Sequence, residues 1–301
     1  MAKGGLLPIF EIFHLDVYTN RTFGGNPAAV IPLEGEWPPD EVLQSIAEEN
    51  NLTETAFVQP DYEIRWFTPR KEVELCGHAT VAAACVVANY LQTPEKRDGA
   101  LFRFHSPHSG QLPVTVQERD GEAAYILELP ADPVQKCEVP VGAARAVGSI
   151  PTAAFQGRHH LLFLLQRFDA IRTMRPDFRV ISQLPADGVI VTAAHSAAGA
   201  PGPAVPAPGP DAAAGDADAA APPDFGARFF APQAGIAEDP VTASAHATLA
   251  PFWAERLGKN RLVSHQLSPR GGVLECRVEG DRVRIGGTAR LYLRGHVYID
   301  P

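Results

Sequence analysis

The chain has 301 residues, enough for about two domains. With 45% hydrophobic and 20% charged residues it has the composition of a globular protein, which excludes collagen, a coiled coil and overall disorder. Its formal net charge of −9, without a block of Lys and Arg, argues against nucleic-acid and anionic-membrane partners, because both need a positive surface.

The hydrophobic pattern predicts many strands and a few helices. Strands are predicted at 9–18, 28–33, 55–58, 62–67, 101–105, 112–117, 123–129, 160–165, 188–192, 226–231, 261–267, 273–279, 282–286 and 289–299. Helices are predicted after Pro38-Pro39-Asp40, from Gly77 to Leu91, and near 243–257. The second helix is apolar on nearly every side, which predicts burial, and Pro251 is expected to kink the third.

The cysteines and the amino terminus bear on the cellular compartment. The four cysteines form no Cys-x-x-Cys pair, which predicts reduced thiols and no disulfide framework. The first residues resemble no secretory signal, and the most apolar stretch, 79–88, is about half a membrane span. The sequence therefore predicts a cytoplasmic protein without a membrane partner.

Residues 196–223 differ in composition from the rest of the chain. Of these 28 residues, 12 are Ala and 7 are Pro. Such a segment buries too little apolar surface to offset the entropy of ordering it. It is predicted to be a disordered insertion within a domain, whose deletion leaves the melting temperature nearly unchanged.

An internal repeat is the first functional signal. Arg-Trp-Phe-Thr-Pro at 65–69 recurs as Arg-Phe-Phe-Ala-Pro at 228–232. Each is followed by a small-residue turn that opens a helix, at 76–80 and at 242–246. Chance similarity of two strand–turn–helix units is the alternative, but the matching downstream context favours two related lobes.

The two helix starts, near Gly77 and Ala243, predict binding of a small anionic metabolite. Free backbone N–H groups and the positive end of the helix dipole favour a carboxylate there. Gly77 additionally lets a ligand approach the backbone closely.

Three side chains are candidates for acid–base chemistry. Glu54 starts a short apolar strand, where desolvation would favour proton transfer, although a solvated strand edge is the simpler interpretation. Asp239 precedes the second helix, where it can also be a cap or turn residue. His78 follows Gly77, and a lone His is more often packed than catalytic. The remaining histidines considered, His105, His108 and His246, are interpreted as structural.

Known metal and cofactor motifs are missing from the sequence. It contains no His-x-x-x-His, no Walker A, no Gly-x-Gly-x-x-Gly and no Gly-x-Ser-x-Gly pattern. Cys76 and Cys85 would point in different directions from one helix. The expectation is therefore chemistry without a metal or cofactor.

Several motifs together resemble the phenazine-biosynthesis-like (PhzF) family, in particular the eukaryotic phenazine biosynthesis-like domain-containing proteins. They are 23–30, 51–58, 65–69, 75–80, 228–232 and 238–246, with Trp253, Leu257-Gly258 and Arg270-Gly271-Gly272. The resemblance implies the α+β diaminopimelate epimerase-like fold: two similar lobes, each a curved mixed β-sheet around a central helix, with the active site between them. It implies an N-terminal lobe at 1–118 plus 288–301, a C-terminal lobe at 119–287, and a homodimer.

The resemblance also assigns roles to residues. Epimerases of this fold use one cysteine from each lobe as acid and base. Here the two positions resemble Cys76 and Thr242, so a mechanism with two thiols is not expected. The PhzF-like branch implies Glu54 as proton shuttle, helped by His78 and Asp239. Substrate contacts are implied at Asn26, Gly77, Ala243 and Ser244. The family pattern has Gly where this chain has Ala243, and that methyl group is expected to crowd the ligand or restrict the backbone.

The sequence thus predicts a cofactor-independent isomerase that moves a proton between carbons of a small carboxylate metabolite. The alternative is a non-catalytic ligand-binding or regulatory protein on the same scaffold.

Overall fold

The computed structural model describes residues 9–91, 97–119, 121–195 and 222–299. The insertion predicted at 196–223 lies outside these residues except for its last two positions. The chain forms two compact units. The first comprises 1–17, 27–127 and 288–301, and the second comprises 18–26 and 128–287. Compared with the division inferred from sequence, 18–26 belong to the second unit and 119–127 to the first.

The elements of the first unit come mainly from the amino-terminal part of the chain. Its strands are β1 (Ile9–Val17), β2 (Asn26–Pro32), β3 (Glu54–Val58), β4 (Ile64–Phe67), β5 (Glu72–Val73), β6 (Leu101–Ser106), β7 (Gly110–Arg119) and β8 (Glu122–Pro130). Its helices are α1 (Asp40–Asn50) and α2 (Gly77–Val86), and α2 continues into a π-helical turn at Val87–Leu91.

Parallel and antiparallel pairings occur together in this unit. β2 and β3 are parallel, with Ala28 opposite Glu54, and β4 pairs antiparallel with β3. β6, β7 and β8 form two antiparallel hairpins. Leu43, Ile46 and Ala47 of α1 pack into the core with residues of β1 to β4. The mixed sheet therefore brings the start of β3 into the interior, where it carries Glu54.

α2 is the central helix of the first unit. Every residue from Gly77 to Val86 is buried, as the apolar sequence predicted. The predicted helix to Leu91 is correct in extent, but its last five residues form a π-turn. The Asn89 side chain donates a hydrogen bond to the Cys85 carbonyl oxygen at 2.7 Å, which satisfies a backbone acceptor at this irregular turn.

The second unit has its own sheet and helix set. Its strands are β9 (Gln135–Cys137), β10 (Ala153–Gln156), β11 (His160–Leu164), β12 (Gly188–Ala194), β13 (Phe225–Ala231), β14 (Ile236–Asp239), β15 (Arg261–Gln266), β16 (Gly272–Glu279) and the first part of β17 (Arg282–Tyr298). Its helices are α3 (Ala143–Val147), α4 (Phe168–Thr173), α5 (Phe178–Ile181) and α6 (Ala243–Leu257), with a 3₁₀ turn at Pro232–Ala234.

This sheet is also mixed. β11 and β12 are parallel, as are β13 and β15, whereas β12–β13, β15–β16 and β16–β17 are antiparallel. α6 is the central helix: it continues through Pro251 and ends at Gly258, whose φ of 65° is the left-handed conformation that favours glycine. Among the described residues, no helix combines the length and the hydropathy that a bilayer-spanning segment needs.

The prediction of two separate strands at 282–286 and 289–299 was wrong, because β17 is one strand from Arg282 to Tyr298. Its beginning pairs with β16 in the second unit, and 289–298 pair with β1 in the first. Gly286 and Gly287 lie at the gap between the two predicted strands. Gly287 is instead a packing requirement, since a Cβ there would lie 2.4 Å from the ring of Tyr18.

Candidate active-site residues

The repeated Arg-x-Phe motif builds the same local frame in each unit. In the first, Arg65 donates two hydrogen bonds of 2.7 Å to the carboxylate of Glu72, and its guanidinium lies 5.1 Å from the ring centre of Phe67. In the second, Arg228 donates two bonds of 2.7 Å to Glu238. Its guanidinium lies 5.2 Å from the ring centre of the equivalent aromatic residue, two positions further along the chain.

In the first unit, Glu54 and His78 meet at the amino end of α2. Oε2 of Glu54 lies 3.1 Å from Nε2 of His78, and both side chains are buried. Glu54 comes from the first position of β3, and His78 from the first turn of the helix. The simpler interpretation of Glu54 as a solvated strand-edge residue is therefore wrong.

Cys76 completes this cluster. It is the residue before α2, and its Sγ lies 3.5 Å from Nδ1 of His78. Burial raises the pKa of the Cys76 thiol to about 11, with the neighbouring Glu54 carboxylate adding to the effect. The thiol is thus protonated at neutral pH, which makes it a poor base.

The imidazole of His78 is held in its charged form. Burial alone would lower the pKa of His78, but the contact of Nδ1 with the Cys76 sulfur and the charge of the Glu54 carboxylate outweigh it and place this pKa well above the ordinary value. The hydroxyl of Thr53 donates to the Pro27 carbonyl oxygen at 2.6 Å. Its oxygen, 3.4 Å from Nε2 of His78, is therefore left to accept, which fits a proton on that nitrogen.

The donor atoms of Glu54, Cys76 and His78 all lie within 4.8 Å of one another, a set that zinc accepts. The two contacts of His78, however, use its two different ring nitrogens. The contacts seen here are an ion-pair distance to Glu54 on one side of the ring and a contact with the thiol on the other.

In the second unit, Asp239 ends β14 and lies just before α6. Its Oδ1 accepts a hydrogen bond of 2.6 Å from the amide of Asn26, and its Oδ2 accepts one of 2.6 Å from the hydroxyl of Thr242. The Asn26 amide also donates to the Val241 carbonyl oxygen. The structure therefore joins two of the predicted site residues, Asn26 and Asp239, across 213 positions of sequence.

Ala243 and Ser244 are the first two residues of α6. Ala243 is buried, and it is not among the residues with positive φ, so its methyl group is compatible with this backbone. Alanine therefore causes no backbone strain at this position. Gly77 holds the equivalent position at the start of α2 and is also buried.

His246 is a packed residue, as the sequence suggested. Its Nδ1 donates to the Thr242 carbonyl oxygen at 2.7 Å, and its Nε2 lies 2.8 Å from the hydroxyl of Ser264. Burial lowers the pKa of His246 to about 4, partly opposed by the Thr242 carbonyl. A neutral ring that donates from Nδ1 must accept from Ser264 at Nε2.

Sequence reasoning missed Gln266, which contacts the same segment. Thr242 donates its N–H to Oε1 of Gln266 at 2.9 Å, and the Gln266 amide donates to the Asp239 carbonyl oxygen at 2.8 Å. Nothing in the local sequence marks this residue, since it is the last residue of an ordinary strand. Only the pairing of β13 with β15 places it beside the start of α6.

Comparison with known proteins identifies the family. The sequence matches the family described as phenazine biosynthesis-like protein, PhzC-PhzF, over residues 15–202 and 211–295. A Pseudomonas aeruginosa protein named uncharacterized isomerase is 40% identical over 96% of this chain and 98% of its own length. The human phenazine biosynthesis-like domain-containing protein is 35% identical over 94% and 97%.

Solved structures agree. A PhzF family protein from Enterococcus faecalis is 38% identical, with a TM-score of 0.80 over 97% of this chain and 100% of that one. A probable proline racemase from Agrobacterium radiobacter, 10% identical with a TM-score of 0.60 over 97% and 94%, shares the fold alone. The predicted α+β epimerase-like fold is confirmed, and the relatives indicate an isomerase. The chain belongs to the PhzC-PhzF family of phenazine biosynthesis-like proteins.

Proposed function

We propose that the protein is a cofactor-independent isomerase in which Glu54 moves a proton between two carbons of a small carboxylate metabolite. The observation that carries this proposal is the buried pair of Glu54 and His78, 3.1 Å apart at the amino end of α2. The proposal assigns the base to Glu54 and not to its two neighbours, because the pKa of the Cys76 thiol is raised to about 11 and that of His78 is raised well above its ordinary value.

The first step is abstraction of a proton from a carbon next to a carbonyl or unsaturated group. The charge that develops on the substrate is stabilised by the positive end of the α2 dipole, where the backbone N–H groups begin at Gly77. The charge of protonated His78, whose Nε2 lies 3.1 Å from Oε2 of Glu54, holds the carboxylate in place before the transfer. In the second step Glu54 returns the proton to a different carbon.

Asp239 is the second carboxylate of the proposal, and it belongs to the second unit. Its two oxygens accept from Asn26 and Thr242, which fix its orientation. The role proposed for Asp239 is to adjust the protonation of the reacting groups during the reaction. Ser244 and the N–H groups of the first turn of α6, starting at Ala243, supply donors for the substrate carboxylate.

The experiment is a screen of small carboxylates in heavy water, scored by deuterium incorporation at carbon. Glu54→Gln keeps the shape of the side chain and removes the basic group, so incorporation is expected to fall by roughly two to four orders of magnitude. Glu74→Gln is the matched control, because Glu74 is exposed and lies two residues before Cys76.

Equal incorporation by wild type and Glu54→Gln would overturn the role of Glu54. Binding of a carboxylate without incorporation into any compound would instead support the alternative of a ligand-binding protein.

A further inference from the structure

Gln266 is a buried amide whose two polar ends both contact the short segment that carries Asp239. It is 1% exposed and ends β15. Its Oε1 accepts from the Thr242 backbone N–H at 2.9 Å, and its Nε2 donates to the Asp239 carbonyl oxygen at 2.8 Å. Nε2 also lies 3.2 Å from Oγ1 of Thr242, to which it donates.

The orientation of this amide is determined by the backbone. A backbone N–H can only donate and a backbone carbonyl oxygen can only accept, so rotating the amide by 180° would place donor against donor and acceptor against acceptor. Oγ1 of Thr242 therefore faces an NH₂ group of Gln266 and accepts from it. The single proton of the Thr242 hydroxyl then points to Oδ2 of Asp239, 2.6 Å away.

This orientation matters for the charge of Asp239. One oxygen of Asp239 accepts from a hydroxyl and the other accepts from an amide. Hydrogen bonds accepted at both oxygens favour the ionised carboxylate over the protonated acid. Asn26 supplies the amide contact, at 2.6 Å. The side chains of Asn26, Thr242, Gln266 and Asp239 are all buried, so little water competes with these contacts.

We propose that Gln266 is a positioning residue that acts through Thr242: it directs the Thr242 hydroxyl proton at Asp239 and so keeps this carboxyl group anionic and fixed in orientation. The inference rests on the proposed function, which gives Asp239 a part in proton transfer. Gln266 itself is not a catalytic residue. Its contact with Thr242 determines that the carboxylate of Asp239 accepts a hydrogen bond from the Thr242 hydroxyl.

Two titratable neighbours of this segment have partners or states of their own. Glu238, the preceding residue, is paired with Arg228 through two bonds of 2.7 Å. His246, in the first turns of α6, is neutral above about pH 4, because burial lowers its pKa. The contacts made by Thr242 and Asn26 are the ones that reach the two carboxylate oxygens of Asp239 directly.

The test uses the full chain labelled with ¹³C at the aspartate carboxyl groups, with the Asp239 signal assigned from Asp239→Asn. The signal is followed by NMR from pH 7 to pH 4 in wild type, Gln266→Leu, Thr242→Val and Thr242→Ser. Ser264→Ala is the control, because Ser264 is equally buried on β15 but its hydroxyl bonds to His246.

In Thr242→Val and Gln266→Leu, Asp239 is expected to take up its proton about one to two pH units higher than in wild type, because a charge-assisted bond is lost or misdirected. Thr242→Ser, which restores a hydroxyl, is expected to return the signal close to wild type, and Ser264→Ala to leave it unchanged. An unchanged Asp239 signal in Thr242→Val, or an equal change in Ser264→Ala, overturns the proposal. If Gln266→Leu does not fold, the Thr242→Val and Thr242→Ser pair decides.

This measurement needs no substrate, so it is separate from the deuterium screen. If Glu54→Gln leaves isotope incorporation unchanged while the Asp239 signal responds as expected, the proposed function fails and the positioning role stands. If Glu54→Gln loses isotope incorporation while the Asp239 signal does not respond, the role of Gln266 is removed and Glu54 remains the proton shuttle.

Discussion

The two central helices begin in closely similar frames and carry different chemistry. Before each helix, an arginine on one strand pairs with a glutamate on the next strand. The residue directly before each helix accepts, at its carbonyl oxygen, a hydrogen bond from the side chain four positions later. In the first unit Thr80 bonds to the Cys76 carbonyl oxygen at 2.6 Å, and in the second His246 bonds to that of Thr242 at 2.7 Å. These shared contacts hold the first helical turn and are therefore structural.

The side chains beside the helix starts differ in charge. In the first unit, a carboxylate and a protonated imidazole lie 3.1 Å apart next to a neutral thiol. In the second, the carboxylate of Asp239 is held by the neutral donors of Asn26 and Thr242. The same backbone arrangement thus carries a Glu–His pair in one unit and an Asp with two neutral donors in the other, so a few side chains distinguish the two helix starts.

The largest expected effect separates the two carboxylates. Glu54→Gln removes the proposed shuttle, whereas Asp239→Asn leaves it in place and changes only the second carboxylate of the proposal. Isotope incorporation is expected to fall by roughly two to four orders of magnitude in the first variant and less in the second, with a shifted pH optimum. The measurement is isotope incorporation by both variants as a function of pH. An equal loss of incorporation in the two variants, with the pH optimum unchanged in Asp239→Asn, would contradict the different roles of the two carboxylates.

The Arg–Glu pairs offer a comparison in stability. The Arg228 and Glu238 side chains are 8% and 13% exposed, whereas those of Arg65 and Glu72 are 14% and 26% exposed. Arg228 also donates to the carbonyl oxygens of Ile171 and Met174.

Arg228→Met is therefore expected to lower the free energy of unfolding by about 3 to 5 kcal/mol, and Arg65→Met by about 1 kcal/mol. Urea titration of both variants gives the two values. Similar losses would show that the two frames contribute alike.

The buried histidines predict opposite dependences of stability on pH. Burial lowers the pKa of His246 to about 4, so its contribution is complete above about pH 6.5 and is lost as the pH falls toward 4. The pKa of His78 is raised, so its contribution is present below about pH 6.5 and is lost as the pH rises through its folded pKa.

His246→Gln is expected to remove up to about 3 kcal/mol of the loss in stability between pH 6.5 and 4. The measurement is the free energy of unfolding in urea across this range. His159→Gln is the control, since His159 is exposed. A pH dependence unchanged from wild type in His246→Gln would mean that this residue is not buried in its neutral form.

The smallest effect is expected at Cys76. Its pKa of about 11 makes the thiol a poor base, so Cys76→Ser is expected to retain most isotope incorporation. Loss of nearly all activity in this variant, with activity retained in Glu54→Gln, would assign the shuttle to the thiol.

Local sequence predicted the strands and the central helices well where the hydrophobic pattern was long. α2 was recognisable because its residues are apolar on nearly every side, and α6 because its apolar pattern is long and ends at a glycine. The short elements β5, β9, β10 and β14 and the helices α3 to α5 were missed. Segments of two to six residues carry too little periodicity, and their pairing partners determine them.

The candidate site shows the same division. The start of an apolar strand drew attention to Glu54 and the helix starts to His78 and Asp239, and the family resemblance assigned their roles, because residue type, position in an element and motif are properties of the sequence. The hydrogen-bond partners of these residues cannot be read from the local sequence. Asn26 meets Asp239 across 213 positions, and Gln266 meets it across 27.

By itself, the sequence determined the fold class, the family, the two central helices and the residue types available for acid–base chemistry, because periodicity, turn residues and motifs are local. The tertiary structure decided which groups are charged. Burial and contacts between distant strands protonate His78, keep His246 neutral and surround Asp239 with donors. A protonation state depends on the distance to other charges and on the exclusion of water, and both exist only once the chain has folded.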